Sequence, residues 1–201
     1  MFLETICILQ GEIQNGRGHA ERMQRTASDF GFKSPSLPDV RELLPAELKD
    51  TKVKCRILYY DSIEEISFEK YIPRKISSLK LMEAFVDYPL KFANREPFND
   101  LLAKKGDCDE ILITRDGFIT DTSYSNVVFS QGEKYFTPES SLLNGTKRQN
   151  LIRQGIISER VIHRDSLPEY DHIHLVNAVS GERDDMEPLR ALIWRSLCAA
   201  P

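Results

Sequence analysis

The sequence predicts an α+β fold, and three observations lead to that class. Apolar, β-branched segments come in consecutive runs instead of alternating regularly with helices. Apolar residues at helical spacing occur only in scattered segments, most clearly over Arg17–Phe30, where Gly31 follows as a C-terminal cap. Finally, Asp87-Tyr88-Pro89 breaks the pattern within a chain of 201 residues. We therefore predict two lobes, an N-terminal α/β lobe over residues 1–86 and a C-terminal barrel-like lobe over residues 87–201.

The N-terminal lobe is predicted to consist of strands around one long helix. Phe2–Gln10 is apolar and β-branched and runs into a Gly-rich turn, which is typical of a strand. Pro45 argues against a continuous short helix over Val40–Leu48. Three more segments have strand character: Lys52–Tyr60, Ile63–Tyr71 and Ile76–Phe85.

The C-terminal lobe begins with a helix over Pro97–Lys105, since proline suits the first turn and Gly106 the end. A second helix begins near Thr146, and apolar spacing predicts a final helix over residues 186–197. Strands are predicted over Glu110–Thr114, Phe118–Thr120, Asn126–Ser130, Glu133–Thr137, Arg160–His163 and His172–Ala178.

Composition excludes several classes of protein. Lys and Arg total 27 against 31 Asp and Glu, a net charge of −4, which argues against nucleic-acid binding by phosphate neutralisation. The four cysteines form no C-x-x-C pair, so neither a zinc site nor a redox motif is indicated. No apolar run approaches the roughly 18–20 residues that span a bilayer. The first residues lack the features of an export signal, so we expect a cytoplasmic protein.

Two glycine-containing segments partly match nucleotide-binding motifs. Gly16-Arg17-Gly18 lacks the third glycine of a dinucleotide fingerprint, and Asn144-Gly145-Thr146 lacks the first glycine of a P-loop. The second segment still has the geometry of an anion site at a helix start, although, taken alone, the segment is more typical of an ordinary capped helix. His172-x-His174 lacks an identifiable third ligand, so no metal site is predicted.

The most informative pattern is a series of short motifs in a fixed order. They are Leu3-Glu4-Thr5-Ile6, His19-Ala20-Glu21-Arg22-Met23, Lys91 to Arg95, Asp121 to Phe129, and Leu142 to Arg148. Together they resemble the class IV aminotransferase family, the fold-type IV pyridoxal-phosphate enzymes. That family includes branched-chain and D-amino-acid aminotransferases and aminodeoxychorismate lyase. The resemblance covers most of residues 2–178 and implies a pyridoxal 5'-phosphate cofactor between the lobes, a small-molecule amine substrate and a homodimer.

The resemblance assigns a role to each matched residue. Lys91 would attach the cofactor covalently and then move a proton, which requires an amine that can lose its charge, as arginine cannot. Asp121 would pair with the pyridine nitrogen, in place of the family's usual and longer glutamate. The residues implied for the phosphate are Arg22, Ser125, Asn126, Gly145, Thr146 and Lys147.

The prediction of the reaction type depends on individual residues within these motifs. Lys91-x-x-Asn94-Arg95 and Thr5 look more like the lyase, with Thr5 catalytic and Arg95 a substrate residue. An aminotransferase for branched-chain or D-amino acids is the alternative, and a non-catalytic relative is a third. The family's segment before the Leu3 strand has no counterpart, and the residues after Ala178 differ from its pattern, so we expect an altered substrate pocket.

Overall fold

The computed structural model describes residues 1–180, and the predicted final helix lies outside them. The predicted mixture of helices and sheets is confirmed. The strands are β1 Phe2–Leu9, β2 Glu12–Ile13, β3 Lys52–Tyr59, β4 Ile63–Lys70, β5 Leu79–Glu83, β6 Glu110–Arg115, β7 Phe118–Thr122, β8 Asn126–Gln131, β9 Lys134–Pro138, β10 Ser158–Arg160 and β11 His172–Val176. The α-helices are α1 Gly16–Phe30, α2 Val40–Leu43, α3 Glu96–Leu102 and α4 Thr146–Arg153, with 3-10 helices at Ala46–Leu48 and Arg164–Glu169.

The described residues divide into two compact units that are not continuous in sequence. The first contains Met1–Pro73, Leu90–Asn94 and Ala178–Ser180, and the second contains Arg74–Pro89 and Arg95–Asn177. This division differs from a single boundary after residue 86, because β5 pairs in parallel with β6 and so belongs to the second unit. Leu90–Asn94 belongs to the first unit because it hydrogen-bonds to the start of β1.

The first unit is built on an antiparallel sheet with the strand order β2-β1-β3-β4. Side chains alternate between the two faces of a strand, so Phe2, Glu4 and Ile6 share one face of β1. Phe2 packs with Met23 of α1 on that face. Thr5 lies on the opposite face, so Glu4 and Thr5 face different sides of the sheet.

The second unit contains two sheets, with the strand orders β10-β9-β8-β11 and β5-β6-β7. A single apolar cluster that includes Leu112, Ile119, Phe129 and Ile173 joins them. Within residues 1–180 these strands form no closed barrel, since the two sheets share no strand pairing. In the same part of the chain, no helix has the length and apolar character needed to cross a membrane.

Candidate active site

A buried charge network lies between β1 and α1 in the first unit. His19 and Arg22 are three residues apart on α1 and therefore project from the same side of the helix, toward Glu4 of β1. The Arg22 Nε donates to Glu4 Oε1 at 2.7 Å and its Nη2 donates to Oε2 at 2.5 Å. His19 Nδ1 lies 2.6 Å from the same Oε2. Glu4 and His19 are inaccessible to solvent and Arg22 is 5% exposed.

The protonation states in this network follow from its geometry. Burial disfavours the ionised form of Glu4, but the Arg22 charge and the hydrogen bonds from His19 and Arg22 outweigh it and lower the pKa of Glu4 to about 2. Burial also lowers the pKa of His19, which is therefore neutral at pH 7. Since its Nδ1 faces an ionised carboxylate, that nitrogen carries the proton.

Lys91 is fixed at the edge of the same sheet. The backbone N–H of Leu3 donates to the Lys91 carbonyl at 2.9 Å, and Phe92 forms a bridge with Phe2. The positive charge of Lys91 acts on His19 and adds to the lowering of the His19 pKa. The first unit thus contains three of the predicted site residues: Thr5, Arg22 and Lys91.

Asp121, at the end of β7 in the second unit, is 4% exposed. Its Oδ1 accepts a hydrogen bond from Asn126 Nδ2 at 2.8 Å, and its Oδ2 accepts one from the Leu143 N–H at 3.0 Å. Burial raises the pKa of Asp121 to about 6, against the opposing effect of these hydrogen bonds and the Arg148 charge. The carboxylate is therefore mostly ionised at pH 7 but titrates close to neutrality.

Asn126 connects this carboxylate to the loop that leads into α4. Its Nδ2 also donates to the Leu143 carbonyl at 2.8 Å. A Cβ at Gly145 would lie 2.1 Å from Asn126 Oδ1, so no larger residue fits there without displacing the amide. Ser125, next to Asn126, accepts a hydrogen bond from Asn177 Nδ2 at 3.0 Å.

The loop delivers the chain to the N-terminus of α4, where Thr146 is buried and Lys147 is partly buried. Backbone N–H groups at a helix start carry partial positive charge, which suits an anion. The second unit thus brings together the predicted residues Asp121, Asn126 and Gly145 by direct contact. Ser125, Thr146 and Lys147 flank them in sequence.

Arg95 has a different environment from the one expected of a substrate residue. Its guanidinium donates to the Ser123 carbonyl in the turn after β7. It also lies over the ring of Phe98, 4.4 Å from the ring centroid, and 5.7 Å from that of Tyr88. These contacts tie Arg95 to the packing of the second unit, and its role toward a substrate stays a prediction.

Sequence reasoning assigned no role to two buried groups, Glu4 in the first unit and Arg148 in the second. Arg148 is 2% exposed and donates to the Thr137 hydroxyl, the Pro138 carbonyl and the Glu159 carboxylate. A charged residue within the apolar strand FLETICIL was the available signal for Glu4. No comparable local signal marks Arg148, since arginine is common on exposed helix faces.

Asp121→Asn should remove a pH dependence of stability. In the wild type the folded pKa of about 6 exceeds the unfolded value of 3.8, so the folded state binds more protons between these values and stability falls as pH rises. Two pKa units correspond to about 3 kcal/mol. Urea denaturation at pH 4, 5, 6 and 7 measures the free energy of unfolding of both proteins. Between pH 4 and pH 7 the difference between them should shift in favour of the variant by an amount of that order. If the free energy of unfolding depended on pH in the same way for both proteins, Asp121 would not be a buried carboxylate with a raised pKa.

Comparisons with known proteins agree with the resemblance. The model of the family described as amino-transferase class IV matches residues 92–184, beginning immediately after Lys91. An uncharacterised Haemophilus influenzae protein is 36% identical over 185 residues, which cover 90% of this chain and 98% of that one.

Solved structures give the same result. One from Haemophilus somnus 129PT, described as a candidate 4-amino-4-deoxychorismate lyase, has a TM-score of 0.80 and 33% identity, covering 90% of this chain and 96% of that chain. One from Mesorhizobium loti, described as a candidate amino-acid aminotransferase, shares the fold with a TM-score of 0.76 at 22% identity, covering 90% and 95%. The chain belongs to the class IV aminotransferase family.

Proposed function

We propose that this protein is a pyridoxal 5'-phosphate-dependent enzyme, and that it acts as an aminodeoxychorismate lyase. The observation that carries the cofactor assignment is the buried network of the first unit. Arg22 and Lys91 provide two positive charges there against the single negative charge of Glu4, with His19 neutral. An excess of positive charge beside a buried guanidinium suits a phosphate dianion.

The residues present fit the chemical groups of this cofactor. Its phosphate requires cations and N–H donors, its aldehyde a primary amine, and its pyridine nitrogen a carboxylate. Arg22, Lys91 and Asp121 provide the matching side chains, and the start of α4 provides N–H donors. The Asp121 oxygens accept hydrogen bonds from the Asn126 side chain and the Leu143 backbone, and each carboxylate oxygen has two lone pairs that can accept.

The chemistry that the cofactor supplies when bound is an electron sink for the substrate carbon next to the amine. Asp121 would pair with the pyridine nitrogen, because an ionised carboxylate beside that nitrogen favours its protonated form. The resemblance implies that Arg22 would bind the phosphate, and it assigns the same role to Ser125, Asn126 and the residues Gly145 to Lys147. The Lys91 amine would be the covalent attachment point and would also act as the general base toward the amine-bearing carbon of the substrate.

For the lyase, loss of that proton is followed by elimination of the enolpyruvyl group as pyruvate, and the ring of 4-amino-4-deoxychorismate becomes 4-aminobenzoate. Thr5 assists proton delivery. Support comes from the 33% identity to the Haemophilus somnus protein described as a candidate lyase. The Arg95 motif adds to it, with Arg95 proposed to contact the substrate. The family's usual arrangement, a homodimer, is proposed on the resemblance.

The alternative is an aminotransferase for branched-chain or D-amino acids, in which Lys91 would move the proton and a 2-oxo acid would accept the amine. The family model is itself that of the class IV amino-transferases. A non-catalytic relative is the third candidate. Retention of Lys91, Arg22 and a carboxylate at Asp121 favours an enzyme over it.

One assay distinguishes the three candidates. The protein is supplied with 4-amino-4-deoxychorismate alone and, separately, with branched-chain amino acids, glutamate or D-alanine together with a 2-oxo acid. We expect release of pyruvate and 4-aminobenzoate without any acceptor. Turnover that depends on the acceptor would identify an aminotransferase instead. A colourless protein that takes up no added cofactor, and turns over neither set, would identify the non-catalytic relative.

A further inference from the structure

Glu4 is a buried carboxylate for which the proposed chemistry has no direct use. It accepts three hydrogen bonds, from Nε and Nη2 of Arg22 and from Nδ1 of His19, through only two oxygens. Its side chain is inaccessible to solvent. A carboxylate in an apolar strand carries a large desolvation cost, so its partners must compensate for it.

The geometry of the pair fixes the orientation of Arg22. Nε and Nη2 lie along one edge of the planar guanidinium, and two parallel hydrogen bonds along that edge set both its position and its plane. His19, one turn earlier on α1, holds the second carboxylate oxygen from another direction. The remaining nitrogen, Nη1, is the one that Glu4 does not use.

We infer that Glu4 is a positioning residue, which holds the Arg22 guanidinium in the orientation that receives the phosphate group of the cofactor. This inference rests on the proposed function. Two other roles are possible for such a carboxylate, and they predict different effects. If Glu4 were only an electrostatic neighbour, its negative charge would repel the phosphate, and removing the charge would strengthen phosphate binding. If it were only structural, its loss would affect all ligands equally.

Glu4→Gln separates these roles because glutamine has nearly the same shape but one oxygen and one amide nitrogen. Three N–H donors surround the side chain, so an amide nitrogen at either oxygen position faces an Arg22 donor, and at least one of the three bonds is lost. Glu21→Gln is the matched control, since Glu21 lies on α1 and pairs with the exposed Arg17.

The readout is the dissociation constant of pyridoxal divided by that of pyridoxal 5'-phosphate, each measured by absorbance titration of the cofactor-free protein. The ratio reports the phosphate contribution alone. We expect Glu4→Gln to lower it on the order of tenfold, the effect of losing one hydrogen bond to a charged group, with little change for pyridoxal. Glu21→Gln should leave it unchanged. In an Arg22→Lys background, Glu4→Gln should change the ratio less than about twofold, because the guanidinium is already absent.

A ratio that is unchanged or increased in Glu4→Gln would overturn the inference, since it would indicate the structural or the electrostatic role. If Glu4→Gln does not fold, Glu4→Asp replaces it: both oxygens remain but retract from Arg22, and the ratio should fall in the same direction. A wild-type ratio near one would instead refute the proposed phosphate site, and the inference with it. The two failures are therefore distinguishable.

Discussion

Replacing Lys91 with alanine is expected to abolish covalent attachment of pyridoxal 5'-phosphate and to lower turnover by at least about a thousandfold. The attachment requires a primary amine, and the same amine serves as the general base, a function that typically contributes about 10²–10⁴ in rate. The backbone at Lys91 is held by β1 through its carbonyl, so the side chain can be removed without losing that hydrogen bond. Folding should therefore be preserved.

The measurement is borohydride reduction followed by peptide mass mapping. In the wild type the pyridoxyl group should be found on Lys91, and Lys91→Ala should carry none. Lys147→Ala is the control, because Lys147 lies at the start of α4 and we expect its backbone N–H, which the substitution keeps, to serve the phosphate. An adduct on Lys104, Lys105 or Lys147 in the wild type would contradict the assignment.

Local sequence patterns predicted the two elements of the first unit that carry Glu4 and Arg22. β1 and α1 were placed to within one or two residues, because apolar β-branched runs and a glycine C-cap are local signals. Gly31 indeed adopts the left-handed conformation, with φ 69°. The contact between Glu4 and Arg22 was not predicted, since it joins residues 18 positions apart whose charges alone do not reveal a partner.

Pairing between distant segments was the less predictable part. β5 was recognised as a strand but assigned to the first lobe, whereas it pairs in parallel with β6, about 30 residues later. Parallel pairing leaves no turn signal between the partners, so the sequence around β5 carries no information about its neighbour. The strand predicted over Arg160–His163 lies instead at Ser158–Arg160, because its boundary depends on the parallel pairing with β9.

The second large effect, a loss of stability, is expected on replacing Arg148, whose hydrogen bonds connect α4 to the strands β9 and β10. Its guanidinium reaches Thr137 Oγ1 at 3.1 Å, the Pro138 carbonyl at 2.9 Å and Glu159 Oε1 at 2.6 Å. Arg148→Met fills a similar volume but leaves the buried Thr137 and Pro138 groups without these donors. We expect the free energy of unfolding to fall by about 3 kcal/mol, the usual cost of stranding buried polar groups.

Urea denaturation measures this loss, and Arg153→Met on the exposed side of the same helix should change stability by less than about 0.5 kcal/mol. Equal effects of the two substitutions would contradict a special role for Arg148. A second readout follows from its charge, which lowers the pKa of Asp121. Without it, Asp121 should titrate above pH 6 in the folded state, so the fall in stability with rising pH should extend to higher pH. Arg148 therefore stabilises both the attachment of α4 and the ionised form of the carboxylate proposed for the pyridine nitrogen.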